Sequence, residues 1–309
     1  MSAQLGLGLA AVGRPAYITL GRDADLPADR SPAALEARAH ELLDAAVGLG
    51  IGWVDTARSY GRAEQFLATW LPAAPGDVTV SSKWGYTYTA EDPGVDADEV
   101  KTHDLATFDR QWAESRALLG DRIDLYQVHS LTPDSPLWAD DALLARLAEV
   151  RDAGTPLGFS TSGPRQADAV RRGVALEVGG APLFSAVQST WNLLETSVGP
   201  ALTEAAAAGF RVLVKEGVAN GRLTDRGLPA DSPVRTAAAA AGVGPDAVAL
   251  AAALARPWAD VVLSGAATTA QLRSNADARG LAVDLGDWAD DLAEDPADYW
   301  ATRSALPWR

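Results

Sequence analysis

The sequence has no cysteine, and its 309 residues include only three lysines and three histidines. Without cysteine the chain forms neither disulfides nor thiolate-bound metal sites. The histidines are scattered along the chain, so we expect no histidine-rich zinc site and no metal cofactor. The lack of lysine is selective, because 23 of the 26 basic residues are arginine. The positions of Lys83, Lys101 and Lys215 therefore need an explanation.

Long apolar runs are also absent, and none reaches the roughly 18 residues that a membrane-spanning helix requires. Residues 1–13 are apolar but lack the basic flank and the small-residue cleavage site of a signal peptide. We interpret their centre as a first strand. The sequence thus predicts a cytoplasmic protein with no membrane partner.

Basic residues are outnumbered, since 41 Asp and Glu oppose 26 Lys and Arg and leave a net charge of −15. This charge argues against nucleic acid as the main partner. The hydrophobic fraction of 48% is typical of a globular chain. The length suits one large domain or two small ones, and we expect residues 1–309 to form a single domain.

Eight short apolar runs rich in β-branched residues predict strands, and they are separated by helix-like segments. The predicted strands are Leu5–Ala10, Ile51–Asp55, Val78–Lys83, Ile123–His129, Leu157–Ser160, Phe184–Gln188, Phe210–Lys215 and Val261–Ser264. The predicted helices are Ala33–Leu49, Ala63–Leu71, Leu105–Leu119, Ala142–Ala153, Arg165–Arg172, Ala201–Ala208 and Pro245–Ala255.

This alternation over about 250 residues predicts an α/β fold of the (β/α)₈ TIM-barrel type, a parallel eight-stranded barrel with outer helices. A doubly wound sheet is the alternative. It requires a glycine-rich turn after an early strand, but Gly6-Leu7-Gly8 lacks the third glycine and the following helix.

Polar residues close or nearly close seven of the predicted strands. They are Asp55, Lys83, His129, Ser160, Gln188, Lys215 and Ser264. Because the chemistry of such barrels is located at the carboxyl ends of the strands, these side chains are predicted to converge on one face.

Four residues at this face form a candidate catalytic group: Asp55, Tyr60, Lys83 and His129. A tyrosine with a pKa near 10 is a poor acid, and a neighbouring ammonium group is expected to lower that pKa. Lys83 can supply the charge, and Asp55 can hold Lys83. His129 can orient a carbonyl oxygen by hydrogen bonding. The group would polarise a carbonyl that receives hydride from a cofactor.

The sequence resembles the aldo-keto reductase family along nearly its whole length, from Gly6 to Asn275. The most specific match is Val54-Asp-Thr-Ala-x-x-Tyr60-Gly-x-x-Glu64, and further matches include Asp124-Leu-Tyr-Gln-Val-His129 and Gly158-Phe-Ser160. The resemblance implies a barrel that binds NADPH, or less often NADH, with Tyr60 as the proton donor. The substrate would be a small molecule with a carbonyl or alcohol group, such as an aldehyde, ketone or sugar.

The resemblance also implies residues that bind the cofactor. Ser160 and Gln188 would hold the nicotinamide carboxamide, and the segment 265–275 would hold the adenosine phosphate. The full predicted set is Ser160, Thr161, Gln188, Lys215, Arg222, Gly265, Ala266, Thr268, Gln271 and Asn275.

The sequence departs from the family pattern at several of these positions. Lys215 replaces the aromatic residue that usually stacks on the nicotinamide, and Thr161 replaces an asparagine. The positions that commonly carry a cation for the 2′-phosphate include Ala267 and Gln271, with Arg273 nearby. Lys215 is interpreted either as a lysine at the barrel rim or as a contact for cofactor or anionic substrate.

The long segment 84–103 is expected to shape the substrate pocket, with Trp84, Tyr86 and Trp191 as aromatic walls. Two other functions stay open. One is a non-catalytic, cofactor-binding regulatory subunit on the same barrel, and the other is a dehydratase or isomerase without net redox chemistry.

Overall fold

The computed structural model describes residues 3–14, 18–89, 99–282 and 287–306. Its strands are β1 (Gln4–Gly8), β2 (Trp53–Asp55), β3 (Thr79–Trp84), β4 (Tyr86–Tyr88), β5 (Glu99–Lys101), β6 (Leu125–Leu131), β7 (Leu157–Thr161), β8 (Glu177–Val178), β9 (Ala181–Pro182), β10 (Ala186–Thr190), β11 (Arg211–Lys215) and β12 (Val261–Ser264).

The helices surround the strands. They are α1 (Pro32–Gly48), α2 (Ala63–Trp70), α3 (Leu105–Leu119), α4 (Asp141–Asp152), α5 (Gln166–Val174), α6 (Gly199–Ala207), α7 (Pro233–Ala241), α8 (Pro245–Leu254), α9 (Thr269–Ala276) and α10 (Pro296–Ser304).

Eight parallel strands close into a barrel in the order β1-β12-β11-β10-β7-β6-β3-β2. Closure occurs at β1, where Leu7 pairs with Ser264 of β12 on one side and with Val54 of β2 on the other. The (β/α)₈ fold predicted from the sequence is therefore confirmed. The eight predicted strands are all present, and no end differs from its predicted position by more than two residues.

Two hairpins outside the barrel, β4–β5 and β8–β9, were not predicted, and neither were α9 and α10. The β4–β5 hairpin extends from the carboxyl end of β3 and lies within the segment 84–103, of which residues 90–98 are outside the described part. Helix α10 packs at the same end of the barrel, because Arg303 reaches Glu216 just after β11.

Two layers of buried apolar residues hold the barrel together. A small inner cluster contains Trp53, Leu125, Ala186, Leu213, Val261 and Leu263, which come from five barrel strands. The larger cluster includes the neighbours that alternate with them, such as Val54 and Val262, together with the buried helix faces. This alternation is the period of two of a strand whose faces are both buried.

Among the described residues, no single helix combines the length and hydropathy needed to cross a membrane. The pair α7 and α8 meets that test jointly, with a bend of 93° between the two helices.

Candidate active site

A cavity of about 250 Å³ opens at the carboxyl ends of the barrel strands. Seven residues predicted from the sequence line it: Asp55, Tyr60, Tyr86, His129, Gln188, Lys215 and Gly265. Ser264, the polar residue at the end of β12, lines it as well. The expected convergence of strand ends therefore occurs at this cavity.

Lys83 connects two of these residues beneath the cavity. Its side chain is fully buried, and its ammonium group forms an ion pair with Asp55. The same Nζ lies 3.4 Å from the hydroxyl of Tyr60 and donates to the Thr56 carbonyl at 3.0 Å. It also lies 4.8 Å from the centre of the Tyr60 ring. The ammonium group thus lies between a carboxylate and the phenol.

Asp55 accepts further hydrogen bonds from the barrel interior. The Ser81 hydroxyl donates to its Oδ1 at 2.7 Å, and Gln188 Nε2 donates to the same atom at 3.0 Å. Gln127 Nε2 adds a longer contact at 3.3 Å. A buried carboxylate is stable only when it is paired and hydrogen-bonded, and Asp55 is both. Its orientation toward Lys83 is therefore fixed.

The phenol of Tyr60 is protonated at neutral pH. Burial raises the pKa of Tyr60 well above 10.0, the nearby Asp55 carboxylate adds to this effect, and the Arg14 guanidinium opposes it. The sequence-based expectation of a lowered pKa is therefore wrong for the protein alone. The reason is that the buried ring loses hydration of its phenolate, a cost that the sequence pattern does not reveal.

His129 contacts the aromatic rings on both sides of the cavity. Its ring centre is 5.5 Å from that of Tyr60 and 4.9 Å from that of Tyr86, both edge to face. Burial lowers the pKa of His129 well below 6.5, and the positive charges of Lys83 and Lys215 add to the effect. The imidazole is therefore neutral at physiological pH.

Lys215 lines the cavity and has a side chain that is only 16% exposed. Its Nζ donates to the Thr190 hydroxyl at 2.7 Å and lies 3.7 Å from the Glu216 carboxylate. Burial lowers the pKa of Lys215 from 10.5 to about 8, although Glu216 opposes this. The side chain does not extend into solvent as a rim lysine does, and it brings a cation to the cavity wall.

Glu216 is shared between two cations. Arg303 Nε donates to Glu216 Oε2 at 2.9 Å, so the C-terminal helix supplies the main partner of this carboxylate. Burial would raise the pKa of Glu216, but Arg303 and Lys215 together lower it to about 2. Glu216 is thus an anion at all physiological pH values, and most of its charge is already compensated by Arg303.

Besides Glu216, three charged residues of the cavity were not predicted from the sequence: Arg14, Glu99 and Arg303. The buried Arg14 forms an ion pair with Glu99 and donates to the Ser59 carbonyl at 3.0 Å. Its guanidinium lies 5.2 Å from the ring centre of Tyr60. These residues belong to a loop, a hairpin and the last helix, so no strand-end pattern could identify them.

The backbone is strained at three non-glycine residues of the cavity wall. Ser130 and Glu216 both have φ of 58° and Asn220 has φ of 54°, the left-handed region that L-residues other than glycine seldom adopt. The N–H of Ser130 donates to the hydroxyl of Ser160 at 2.8 Å. Strained non-glycine residues concentrate at functional sites, in agreement with the position of this cavity.

Seven of the ten predicted cofactor residues lie outside the cavity lining. Ser160 is buried, accepts a hydrogen bond from the N–H of the wall residue Ser130 and pairs with Gln188 of the neighbouring strand. Ser162 lines the cavity instead. The hydroxyl of Thr161 is 2.7 Å from that of Ser189, inside the protein. Arg222 forms an ion pair with Glu294. The contact of Arg222 with cofactor phosphate stays a prediction.

The segment predicted to bind the adenosine phosphate forms its own hydrogen-bond network. The Thr268 hydroxyl caps α9 by accepting from Gln271 N–H, and Gln271 Oε1 accepts from Ala267 N–H. Asn275 accepts from the Ser264 hydroxyl and donates to Asp246. Ala266 is buried next to them. These residues fix the loop that follows β12 and holds Gly265 in the cavity wall.

Two of the three predicted aromatic walls are part of the core. Trp84 is 1% exposed and packs edge to face on Phe108 at 4.9 Å between ring centres. Trp191 is 3% exposed and packs on Trp258 at 5.8 Å. Neither lines the cavity, so both predictions are wrong. These two large aromatic residues next to strand ends pack beneath the loops, and Tyr86 is the one of the three predicted walls that lines the cavity.

Solved structures of similar shape are aldo-keto reductases. The holo form of aldo-keto reductase AKR11C1 from Bacillus halodurans superposes with a TM-score of 0.69 and 19% identity, over 95% of this chain and 93% of that one. The glycerol dehydrogenase AKR11B4 from Gluconobacter oxydans gives a TM-score of 0.67 and 21% identity, over 99% and 94%. At these identities the likeness establishes the fold alone.

Comparison of the sequence identifies the family as well as the fold. No curated protein sequence matches the chain. The model of the aldo/keto reductase family, however, matches residues 28–289, which is most of the chain. This chain is therefore a member of the aldo/keto reductase family, whose members are oxidoreductases that bind nicotinamide cofactors.

Proposed function

We propose that the protein interconverts a carbonyl group and an alcohol with NADPH or NADH, and that Tyr60 donates the proton in reduction and accepts it in oxidation. One observation carries this proposal. The Lys83 ammonium group lies 3.4 Å from the Tyr60 hydroxyl and is held there by Asp55, directly below the cavity.

The protonation states support Tyr60 as the acid. A phenol with a raised pKa holds its proton until a substrate oxygen develops negative charge. When the proton leaves, the phenolate forms next to the Lys83 ammonium, which stabilises it by charge. In the reverse direction the same phenolate accepts the proton of an alcohol.

A neutral His129 is suited to orientation and not to proton donation. Its pKa lies well below 6.5, so it carries no acidic proton at neutral pH. Its Nδ1 is 3.4 Å from the Ser59 hydroxyl. With Ser59 as the donor, the imidazole proton is on Nε2 and can be donated to a carbonyl oxygen. His129 would thus hold the substrate oxygen close to Tyr60.

The cavity wall fits a nicotinamide. Gln188 donates to Asp55 through Nε2, whereas its Oε1 is buried and has no hydrogen-bond partner among the described residues. A carboxamide N–H would satisfy this acceptor, which is costly to leave unpaired. When bound, the nicotinamide would supply the hydride. Ser162, Lys215 and Gly265 are further wall residues that would surround it.

We place this reaction in a single domain of residues 1–309 that acts in the cytoplasm on small molecules. The substrate would carry an aldehyde, ketone or sugar carbonyl, or the corresponding alcohol. The acidic surface supports a small-molecule partner over nucleic acid, because a net charge of −15 repels polyanions.

The test is a cofactor titration followed by turnover measurements. Quenching of the fluorescence of the ten tryptophans by NADPH and by NADH measures binding. Turnover is then measured across aldehydes, ketones, aldoses and alcohols. For Tyr60→Phe we expect kcat to fall about 10²- to 10⁴-fold with cofactor affinity unchanged, the effect of losing a general acid.

Tyr126→Phe is the matched control. Tyr126 is equally buried, but its hydroxyl contacts Ser115 at 3.2 Å outside the cavity. Full turnover by Tyr60→Phe would remove Tyr60 as the proton donor. Cofactor binding without any turnover would favour the regulatory subunit, and turnover without net redox change would favour a dehydratase or isomerase.

A further inference from the structure

A second cavity of about 450 Å³ lies next to the segment that carries Tyr60 and has no lining residue in common with the first cavity. Tyr60 and Arg14 line the first cavity, whereas their chain neighbours Gly61 and Gly13 line the second. Its charged lining residues are Arg30, Arg58, Arg62, Arg110 and Glu114, and we refer to it as the arginine cavity.

The charge of the arginine cavity is opposite to that of the whole chain. Four guanidinium groups face one carboxylate in its lining, although the net charge of the protein is −15. Among the described residues, Glu64 contacts Arg58 and Asp23 contacts Arg30 from outside the lining.

The four arginines differ in how strongly they are engaged. Arg58 bonds to Glu64 at 2.7 Å and to Glu114 at 3.1 Å. Arg110 makes only long contacts, at 3.3 Å, to Glu114 and to the Thr87 hydroxyl. The side chain of Arg62 is exposed and makes no hydrogen bond or ion pair with the described residues. Arg62 and Arg110 are therefore able to bind a ligand without losing a strong contact.

The remaining wall is not charged. Pro32, Leu35 and Tyr88 provide an apolar and aromatic surface beside the arginines. A ligand that fits this cavity has an anionic group for the guanidinium forks and an organic part for this surface. Several arginines in one place favour a phosphate, because a dianion with three terminal oxygens accepts from more than one guanidinium.

We propose that the arginine cavity binds a small molecule that carries a phosphate group, with Arg62 and Arg110 as its main contacts. The site is separate from the cavity that contains Tyr60. It does not depend on the redox activity proposed above, since the two cavities share no lining residue.

The test is calorimetric titration of the full chain with inorganic phosphate and with phenyl phosphate, against chloride at equal ionic strength. We expect millimolar or tighter binding of phosphate, and tighter binding of phenyl phosphate because of the apolar wall. Arg62→Gln and Arg110→Gln should each weaken binding about tenfold, the loss of one charge-assisted hydrogen bond.

Two controls make the result specific. Arg122→Gln changes an exposed arginine outside both cavities and should leave binding unchanged. Lys215→Met removes a cation of the first cavity and should also leave it unchanged. The proposal is overturned by absence of binding at millimolar phosphate, by unchanged affinity in both arginine variants, or by loss of binding in Lys215→Met alone.

Discussion

At the scale of single residues, Lys215 combines a structural cost with a position in the wall of the first cavity. Taking an ammonium group out of water is unfavourable, and the pKa of about 8 reflects that cost. Glu216 compensates only in part, because Arg303 binds it at shorter distance. A buried charge that is only partly compensated is unfavourable for stability, and such residues are expected where function requires them.

For Lys215→Met we predict a free energy of unfolding about 1–3 kcal/mol higher than that of the unaltered protein at pH 7. At pH 7 Lys215 is charged in both states, so the unaltered protein bears the full cost of burial. Between pH 8 and pH 10.5 the unfolded chain binds one proton more than the folded protein, so rising pH stabilises the unaltered protein. The difference between the two should therefore shrink above pH 8.

Urea unfolding at pH 7 and at a pH above 9 measures both effects. Arg122→Met is the control, since it replaces an exposed arginine outside both cavities by the same residue. A Lys215→Met protein that is less stable at pH 7, or a difference that does not change with pH, would contradict the burial argument. A higher KM in the same variant would in addition assign Lys215 to ligand binding.

At the scale of secondary-structure elements, helix α5 approaches the barrel at a glycine. A Cβ placed on Gly173 would lie 2.3 Å from the ring of Phe159 in β7, far inside van der Waals contact. The Phe159 ring is fully buried and packs against Phe184, so it cannot move aside without cost. The distance between α5 and β7 thus depends on the missing side chain.

We predict that Gly173→Ala lowers the free energy of unfolding by about 1–3 kcal/mol, the usual cost of overpacking. Gly48→Ala is the matched variant, because Gly48 is also in the last turn of a helix but has open space around its Cβ position. It should raise stability by about 0.5 kcal/mol, since alanine is the better helix former. Unfolding of both variants by guanidinium chloride measures their free energies of unfolding. Equal changes in the two variants would refute the packing argument.

The barrel elements could be predicted from the sequence because they are regular. Buried parallel strands appear as continuous apolar runs, and the helices between them have an apolar face. The order and the approximate bounds of these strands and helices could therefore be predicted. Hairpins such as β8–β9, with two residues per strand, carry too few residues for any period to be visible. Helix α10 was missed because its polar residues bind the barrel end, as Arg303 does, and its pattern is irregular.

The residues of the candidate site also fall into two groups, those that could be predicted from the sequence and those that could not. Residues at strand ends, such as Asp55, His129 and Gln188, could be placed because the barrel fixes where strands end. Arg14 and Arg303 could not, because their positions depend on how loops and the last helix fold back. The direction in which the pKa of Tyr60 shifts could be determined only from the structure, because burial and not sequence spacing causes the shift.

At the scale of the whole molecule, the acidic charge acts on the folded state. An excess of 15 negative charges on a compact protein produces self-repulsion, which the unfolded chain relieves by expansion. Many arginines are already used in exposed ion pairs, such as Arg171 with Glu204, and such pairs contribute little. The long-range repulsion should therefore outweigh the local attractions.

Salt is accordingly predicted to stabilise the protein. Raising NaCl from about 0.05 M to about 0.5 M should raise Tm by about 2–4 °C, because the Debye length falls below the spacing of the surface charges. Differential scanning calorimetry measures the change. In Glu177→Lys, which alters an exposed residue and removes two negative units, the increase should be smaller. A Tm that falls with salt would show that ion pairs dominate.

The closure of the barrel has a consequence for synthesis on the ribosome. Strand β1 pairs with β2 early, but its other edge can pair only with β12, whose residues emerge more than 250 positions later. Until then the nascent chain carries an open sheet edge, the kind of surface that invites association with other chains. The active-site cavity is completed later still, when Arg303 reaches Glu216. An interrupted translation product would therefore be catalytically inert and prone to aggregate, and a chaperone that covers the β1 edge would have its greatest effect in that interval.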